Sequence, residues 1–153
     1  MLRGFATITF FADDLEAAGR WYAELTGVEP YFRVYQCPNC AARARTTPCA
    51  DCGAEGELGY LELRIGDHED ELGFVRRKWA PHDTSRPGGA VLFWHVDDLP
   101  AALERLQEHG ATIHEPLIRR GDGGWATASV LDPFGNVLGV MYNPHYLEQV
   151  SGA

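Results

Sequence analysis

The chain carries the stretch FATITFFADD at residues 5–14 and a similar stretch, GAVLFWHVDD, at residues 89–98. Each stretch is rich in aromatic and β-branched residues, which is typical of a β-strand, and each ends in Asp-Asp followed by leucine. Similarity between two parts of one chain indicates a repeated structural unit. The two stretches therefore predict two copies of one module, each beginning with a strand.

An amphipathic helix is predicted after each of these strands. Apolar residues recur at helical spacing after the first strand, namely Leu15, Ala18, Tyr22 and Leu25. The same spacing returns after the second strand at Leu99, Ala102, Leu103 and Leu106. Asp13 or Asp14 is the expected N-cap of the first helix, and Gly27 and Gly110 mark the expected helix ends.

Three short strands are predicted after each helix. They span residues 29–35, 58–65 and 71–76 in the first half, and 112–119, 125–131 and 136–143 in the second. The predicted fold class is thus α+β, with two βαβββ modules that form one shared, cup-shaped mixed sheet. We expect a single domain of residues 1–153 that comprises module one (4–76), a linker (77–88), module two (89–143) and a tail (144–153).

The composition excludes several classes of partner. The 22 acidic and 13 basic residues give a formal net charge of −9, which repels nucleic acid and anionic lipid surfaces. No apolar stretch approaches the roughly 20 residues that span a bilayer, and residues 1–11 lack the pattern of a signal peptide. We therefore expect a cytoplasmic protein that binds neither nucleic acid nor membrane.

All four cysteines lie in residues 36–57, a segment without a counterpart in the second half and therefore interpreted as an insertion between the second and third strands. They form two Cys-x-x-Cys pairs separated by eight residues, Cys37 with Cys40 and Cys49 with Cys52. Two such pairs in a cytoplasmic chain predict one structural zinc ion per chain, held by four thiolates. Iron, two disulfides and four free thiols are the alternatives.

A four-cysteine site leaves no coordination position for a substrate, so the predicted metal orders the insertion and takes no part in catalysis. A loop with so few apolar residues needs the metal in order to fold. Gly53, directly after the second pair, fits a tight turn with positive φ. Three roles remain open for the ordered hairpin, namely a lid over the cavity, a dimer contact and a surface for a protein partner.

Four motifs occur in an informative order. They are Asp-Asp-Leu at 13–15, Trp-Tyr at 21–22, Val-Asp-Asp-Leu at 96–99 and Asp-Pro-Phe-Gly-Asn at 132–136. In this order and spacing they resemble the vicinal oxygen chelate superfamily, which includes glyoxalase I, the extradiol dioxygenases, and the bleomycin and fosfomycin resistance proteins. The resemblance covers nearly the whole chain except the insertion. It implies the two-module fold and a homodimer, and it leaves the reaction open.

The resemblance also implies where a metal in the cavity would be bound, namely on the first and last strands of each module. Those positions hold Thr7, Gly73, Val91 and Gly139. Glycine and valine offer no side-chain donor, and a neutral threonine hydroxyl is a poor ligand. We therefore expect no catalytic metal in the cavity.

Strand alternation predicts which side chains line the cavity. They are Phe5, Thr7, Thr9, Phe11, Val91, Phe93, His95, Trp125 and Met141. Such an apolar and aromatic lining suits a flat or hydrophobic ligand, while ordinary core packing is the alternative for each residue.

Two polar positions in the predicted strands call for an interpretation. His95 is a weak candidate for a general base, and a structural histidine with satisfied hydrogen bonds is the favoured alternative. Glu62 and Arg64 alternate with apolar residues in the strand at 58–65, so we expect both on its solvent face.

The leading hypothesis is a metal-independent protein that binds a small molecule and sequesters an aromatic or hydrophobic ligand or antibiotic. The first alternative is an enzyme, either a lyase or isomerase with His95 as base or a dioxygenase-like enzyme whose metal lies in a different register. The second alternative is a scaffold whose zinc hairpin binds a protein partner.

Overall fold

In the computed structural model, residues 6–81, 83–87, 90–120 and 124–152 are described. The chain divides into two compact units, Met1–His82 and Asp83–Ala153. The division lies within the predicted linker at residues 77–88.

Unit one contains a five-stranded mixed sheet and one α-helix. Its elements are β1 (Thr7–Ala12), α1 (Leu15–Thr26), β2 (Phe32–Gln36), β3 (Arg43–Ala44), β4 (Glu57–Ile65), β5 (Asp70–Arg76) and a 3-10 turn (Arg77–Trp79). The strand order is β1-β5-β4-β2-β3, in which β1 and β5 are parallel and all other neighbours are antiparallel. Apart from β3, which belongs to the insertion, this is the predicted βαβββ module.

Unit two contains a four-stranded mixed sheet and two α-helices. Its elements are β6 (Leu92–His95), α2 (Leu99–Glu108), β7 (Thr112–Arg120), β8 (Trp125–Leu131), β9 (Val137–Tyr142) and α3 (Pro144–Val150). The strand order β6-β9-β8-β7 repeats that of unit one, again with a parallel pair at one edge. The predicted α+β class with two βαβββ modules is confirmed.

The two Asp-Asp pairs work as helix starts in the same way. Asp14 accepts a hydrogen bond from the N–H of Ala17 at 2.9 Å, and Asp98 accepts one from the N–H of Ala101 at 3.0 Å. Each carboxylate thereby satisfies a backbone donor that has no partner within the helix. Of the two candidates for the first N-cap, Asp14 is the one used.

Helix α1 covers only one face of the unit-one sheet. The ring of Tyr22, which is fully buried, lies 4.7 Å from the ring of Phe74 between centroids, and burial of such a ring stabilises the fold by roughly 1.5–3 kcal/mol. On the same face, the side chain of Leu61 packs against Gly19. Side chains at alternate positions of β1, β4 and β5 point to the other face, which α1 leaves free.

Two of the differences from the predicted elements have a cause that can be read from the sequence. Strand β2 begins at Phe32 instead of residue 29, because Pro30 has no N–H with which to join the ladder. Residues 144–153, predicted only as a tail, contain α3. Its N-cap Asn143 accepts from the N–H of Tyr146 at 3.2 Å, and Pro144 occupies the first turn.

The longest α-helix in the described ranges, α1, has 12 residues, whereas a helix needs roughly 20 to cross a bilayer. None of the described helices meets that requirement.

Candidate functional site

The four cysteine sulfurs of the insertion converge on one point. Cys37 Sγ lies 3.4 Å from Cys52 Sγ, and Cys40 Sγ lies 3.6 Å from Cys49 Sγ. A tetrahedral zinc site with Zn–S bonds of about 2.3 Å places its sulfurs about 3.8 Å apart. The thiols are too far apart for disulfides, whose sulfurs lie about 2.0 Å apart, and all four are free. They are close enough together to bind one metal ion.

The backbone forms the same turn around each cysteine pair. The N–H of Cys37 donates to the carbonyl of Ala42 at 2.8 Å, and the N–H of Cys49 donates to that of Ala54 at 2.9 Å. The residue after each pair has positive φ, 59° at Ala41 and 70° at Gly53. The positive φ predicted for Gly53 is thus confirmed, and the first turn holds an alanine in the same conformation.

The thiols of the cluster differ in how easily they ionise. Backbone N–H groups of Cys40 and Asn39 hold the pKa of the Cys37 thiol down at about 6. The backbone N–H of Ala42 favours the thiolate of Cys40, but the neighbouring Cys37 and Cys49 outweigh it and raise the pKa of Cys40 to about 12. Four thiolates this close repel one another, and a divalent cation at their centre removes that penalty.

A second group of polar side chains lies on the sheet face that α1 leaves free. We call it the tyrosine–carboxylate cluster, and it comprises Thr7, Tyr31, Tyr60, Glu62, Arg64 and Glu71. At its centre is Glu62, which is only 7% exposed. The hydroxyls of Tyr31 and Tyr60 each donate to one oxygen of its carboxylate.

The prediction that Glu62 lies on the solvent face is wrong. Alternation with Leu61 and Leu63 correctly placed it opposite α1, but two tyrosine hydroxyls bind its carboxylate there and Glu62 is buried. Arg64 does have an exposed side chain, with 50% of its surface accessible. The alternation of a strand predicts on which face of the sheet a side chain lies. Whether that face is exposed to solvent depends on what the rest of the fold packs against it.

Glu71 is the second carboxylate of the cluster. It accepts from the Tyr31 hydroxyl at 3.0 Å and from the Thr7 hydroxyl at 3.1 Å, and it pairs with Arg64 at 3.4 Å. The hydrogen bond from Tyr31, followed by that from Thr7, holds the pKa of Glu71 below its usual range. The acceptor Glu62 in turn raises the pKa of Tyr31 to about 12. Tyr31 therefore stays protonated and links the two carboxylates.

Gly73 makes room for the buried phenol. A β-carbon at this position would overlap the hydroxyl and the ring of Tyr60, which lies across it on the neighbouring strand. Burial, followed by the hydrogen bond to Glu62, raises the pKa of Tyr60 above its usual range. Position 73 therefore requires glycine, because the Tyr60 ring lies directly over the backbone there when its hydroxyl binds Glu62.

A groove of about 450 Å³ lies next to the cluster. Its lining residues are Val34, Gln36, Arg43, Gly59, Tyr60, Val75 and Trp79. The Trp79 ring lies so close to Gly59 that a β-carbon there would be 2.9 Å from Trp79 Cζ3. Gly59 sits at the irregularity between β2 and β4, where the pairing shifts by one residue. The groove thus has aromatic side chains at Tyr60 and Trp79, and polar ones at Gln36 and Arg43.

The predicted pocket residues of the first half fall on the free face but not in this groove. Phe5 lies outside the described residues. Thr7 and Thr9 are exposed and Phe11 is half-buried, and all three alternate along β1 as predicted. None of these residues is among those that line the groove of unit one.

In unit two, the predicted pocket residues have mixed exposure. Val91 and Phe93 are 39% and 37% exposed, and Trp125 and Met141 are half-buried. Met141 lies opposite His95 in the pairing of β9 with β6. These residues remain a predicted ligand surface of unit two.

His95 has the contacts of a structural histidine. Its Nδ1 accepts from the N–H of Asn143 at 3.1 Å, so a neutral ring carries its proton on Nε2, which lies 3.4 Å from a carboxylate oxygen of Asp97. The ring stacks on Tyr146 at 4.8 Å between centroids, and only 8% of the side chain is exposed. These contacts tie α3 to the end of β6 and leave the ring little access to a substrate.

The side chains at the positions that the resemblance implies for a cavity metal offer no good metal ligand. The Thr7 hydroxyl donates to Glu71, and Val91, Gly73 and Gly139 have no donor atom in their side chains. Within the described ranges, the four cysteines are the only group of three or more His, Cys, Asp or Glu side chains found close enough to hold one ion.

Several residues of the cluster and of the groove are not identified by the sequence patterns. Tyr31 and Glu71 lie at strand ends, and Trp79 lies in the stretch interpreted as a linker. The alternating triplet Tyr60, Glu62 and Arg64 on β4 was the available signal. Three hydrogen-bonding side chains on one strand face indicate a polar site as readily as a solvent face.

Comparison with known proteins agrees with this fold. The chain matches the family described as Glyoxalase/Bleomycin resistance protein/Dioxygenase superfamily over residues 4–140. No curated protein matches the chain.

Solved structures of similar fold have low sequence identity. A glyoxalase-related enzyme from Fulvimarina pelagi is 22% identical with a TM-score of 0.63, over 94% of this chain and 90% of that one. A glyoxalase family protein from Enterococcus faecalis is 21% identical with a TM-score of 0.61, over 91% and 97%. A bleomycin resistance determinant encoded on the transposon Tn5 is 19% identical with a TM-score of 0.56, over 93% and 99%.

At these identities the solved structures support the fold alone, whereas the family match spans most of the chain. The chain belongs to the glyoxalase/bleomycin resistance protein/dioxygenase superfamily.

Proposed function

We propose that this protein binds a small aromatic or hydrophobic molecule without converting it and without a metal in the groove. The observation that carries the proposal is the groove of about 450 Å³ beside Tyr60 and Trp79. This volume suits a small organic ligand. Two aromatic rings and the side chains of Val34 and Val75 offer apolar contact, while few polar groups are present to orient the ligand. Sequestration of an antibiotic is one use of such a site.

The metal in the insertion is proposed to be one structural zinc ion per chain. Four sulfur ligands at tetrahedral spacing favour zinc or iron and leave no position for a substrate. Zinc is preferred because it needs no redox partner to remain in one state. The metal would hold the hairpin together and would not touch the ligand.

Binding is tested with N-phenyl-1-naphthylamine, a neutral aromatic probe whose fluorescence rises in apolar sites. We expect saturable binding, and Trp79→Ala should weaken it by about tenfold because one wall of the groove is lost. Trp125→Ala is the matched control, since this ring belongs to the predicted surface of unit two and not to the groove. Weaker binding in Trp125→Ala with no change in Trp79→Ala would transfer the site to unit two.

A second candidate function is a lyase or isomerase, and the buried Glu62 favours it. A carboxylate with little solvent access can act as a general base, and in the free protein the two oxygens of Glu62 accept hydrogen bonds from the Tyr31 and Tyr60 hydroxyls. Compounds that bind should be incubated with the protein and recovered by chromatography. Unchanged compounds support sequestration, whereas a product formed by the wild type and not by Glu62→Gln identifies an enzyme.

The proposal also includes a cytoplasmic homodimer, with the zinc hairpin as a lid, a dimer contact or a partner surface. Light scattering at micromolar concentration measures the mass directly. A mass near twice 16.9 kDa supports the dimer, and a mass near 16.9 kDa contradicts it.

A further inference from the structure

The insertion contributes a side chain to the ligand groove. Arg43 lies three residues after Cys40 in β3, where it pairs with Gln36 of β2, and both residues line the groove. Of the residues that line the groove, Arg43 is the only charged one. The hairpin that the cysteines form therefore supplies the groove with its cation.

The Arg43 guanidinium is free to bind an anion. Among the described residues, none of the ion pairs between basic and acidic side chains includes Arg43. Glu57 pairs in register with Gln36, the residue that also pairs with Arg43, and it is bound by Lys78 at 3.2 Å and Arg76 at 4.0 Å. The protein carries a net charge of −9, which repels anions in general. An arginine without an ion-pair partner therefore makes this groove a place where an anionic group can bind.

The position of Arg43 depends on the metal-binding turn. Strand β3 has only two residues, and it follows directly on the turn in which Cys37 donates to the carbonyl of Ala42. Beyond it, Arg45 donates to the carbonyl of Arg33 at 2.9 Å and stacks on Phe32. A strand this short does not persist alone, so its register depends on the turn before it and the Arg45 contacts after it.

We infer that the groove binds an aromatic ligand that carries one anionic group, that Arg43 holds this group, and that metal binding by the four cysteines controls the affinity. This inference rests on the proposed function, because it assigns the ligand class of the same groove. Carboxylate, sulfonate and phosphate groups share the required chemistry, since each presents two oxygens to the guanidinium fork.

Two probes of the same shape separate charge from aromatic contact. 8-Anilinonaphthalene-1-sulfonate carries one sulfonate, and N-phenyl-1-naphthylamine is its neutral counterpart. In Arg43→Gln we expect the Kd of the anionic probe to rise by about tenfold, the effect of losing one charge-assisted contact, while the neutral probe keeps its Kd within twofold. Arg20→Gln removes an equal charge from the exposed surface of α1 and should change neither value.

Metal control is tested with Cys40→Ser, Cys52→Ser, alone and combined with Arg43→Gln. We expect the metal-free protein to bind the anionic probe about tenfold more weakly. Adding Arg43→Gln to the metal-free protein should not raise the Kd of that probe any further. Far-ultraviolet circular dichroism and unimpaired binding of the neutral probe show that the rest of unit one is folded.

Each outcome has a distinct meaning. An equal loss from Arg43→Gln in the metal-bound and metal-free proteins would overturn the metal control. Equal binding of the anionic probe by wild type and Arg43→Gln would overturn the role of Arg43, while tight binding of both probes would leave the proposed function standing. If the wild type binds neither probe, the proposed function itself fails.

Discussion

The two units share one backbone plan and differ in the chemistry of one sheet face. In unit one Glu62 lies opposite Gly73, and in unit two Ser129 lies opposite Gly139. Two residues before the glycine, unit one has Glu71 and unit two has Val137. Their partners across the ladder are Arg64 in unit one and Leu131 in unit two. At these paired positions, unit one holds Glu62, Arg64 and Glu71, whereas unit two holds Ser129, Leu131 and Val137. The groove also lies in unit one.

The comparison indicates what the repeat conserves. Both glycines clear space for an aromatic ring, that of Tyr60 at Gly73 and that of Phe93 at Gly139. The ring comes from a different strand in each case, β4 in unit one and β6 in unit two. A bare backbone position is therefore the shared feature, while the polarity of the ring and its partners has diverged. The same fold hosts different sites because these side chains vary independently of the sheet.

Removal of the metal should have the largest effect, and it should be confined to unit one. The sulfur ligands hold an insertion that has almost no apolar core, so we expect Cys37→Ser, Cys40→Ser to lower the unfolding free energy by about 3 kcal/mol or more. Elemental mass spectrometry should find one zinc per chain in the wild type and none in the variant.

Amide hydrogen exchange provides the matched control for this test. Protection should fall in β2, β3 and β4 and stay unchanged in β8 and β9 of unit two. Metal that survives in the variant would contradict a site made only of the four cysteines.

The two glycines offer the sharpest test of the comparison. Gly73→Ala should lower the free energy of unfolding by about 2–4 kcal/mol, because the added β-carbon displaces the Tyr60 ring and leaves Glu62 without one of its hydrogen-bond donors. Gly139→Ala should cost about as much, since its β-carbon would lie 2.8 Å from the carbonyl oxygen of Leu92 as well as against the Phe93 ring. Urea denaturation followed by tryptophan fluorescence measures both.

Second substitutions distinguish the two causes. Tyr60→Leu should partly rescue Gly73→Ala, because the obstacle is a side chain. Phe93→Leu should not rescue Gly139→Ala, because the backbone carbonyl remains in place. If both were rescued equally, the difference between the two units at these glycines would be lost.

Alkaline pH should destabilise unit one through Tyr31. Its pKa is raised to about 12 in the folded protein, above the usual value of about 10, so the folded state holds its proton more tightly than the unfolded chain. The resulting stability is complete below about pH 10 and is lost as pH rises toward 12. The urea concentration at which half of the wild type is unfolded should decrease as the pH is raised from 9 to 11. That of Tyr31→Phe should decrease less. An equal fall in both would remove Tyr31 from the pH response.

The sequence predicted the parts of this molecule that depend on local patterns. Apolar periodicity and the Asp-Asp N-caps identified both helices, and the Cys-x-x-Cys spacing identified four thiols that do converge. Tyr31 and Glu71 escaped because they meet Glu62 only through the register of β2, β4 and β5, which no single segment encodes. Trp79 escaped because its neighbour Gly59 is twenty residues away, at an irregularity of the ladder that alternation alone does not predict.

The smallest expected effect concerns the two cysteine turns within unit one. Ala41 and Gly53 occupy the same left-handed position, with φ of 59° and 70°. An alanine there is strained, so Ala41→Gly should stabilise the protein by about 0.5–1 kcal/mol, and Gly53→Ala should destabilise it by a similar amount. The double variant exchanges the two residues between the turns and should return the stability close to that of the wild type, because the changes share a mechanism of opposite sign. Thermal denaturation of the metal-bound protein measures all three variants. A loss of stability in Ala41→Gly would mean that the Ala41 methyl group makes a contact worth more than the backbone strain it imposes, and the two turns would then differ in packing as well as in sequence.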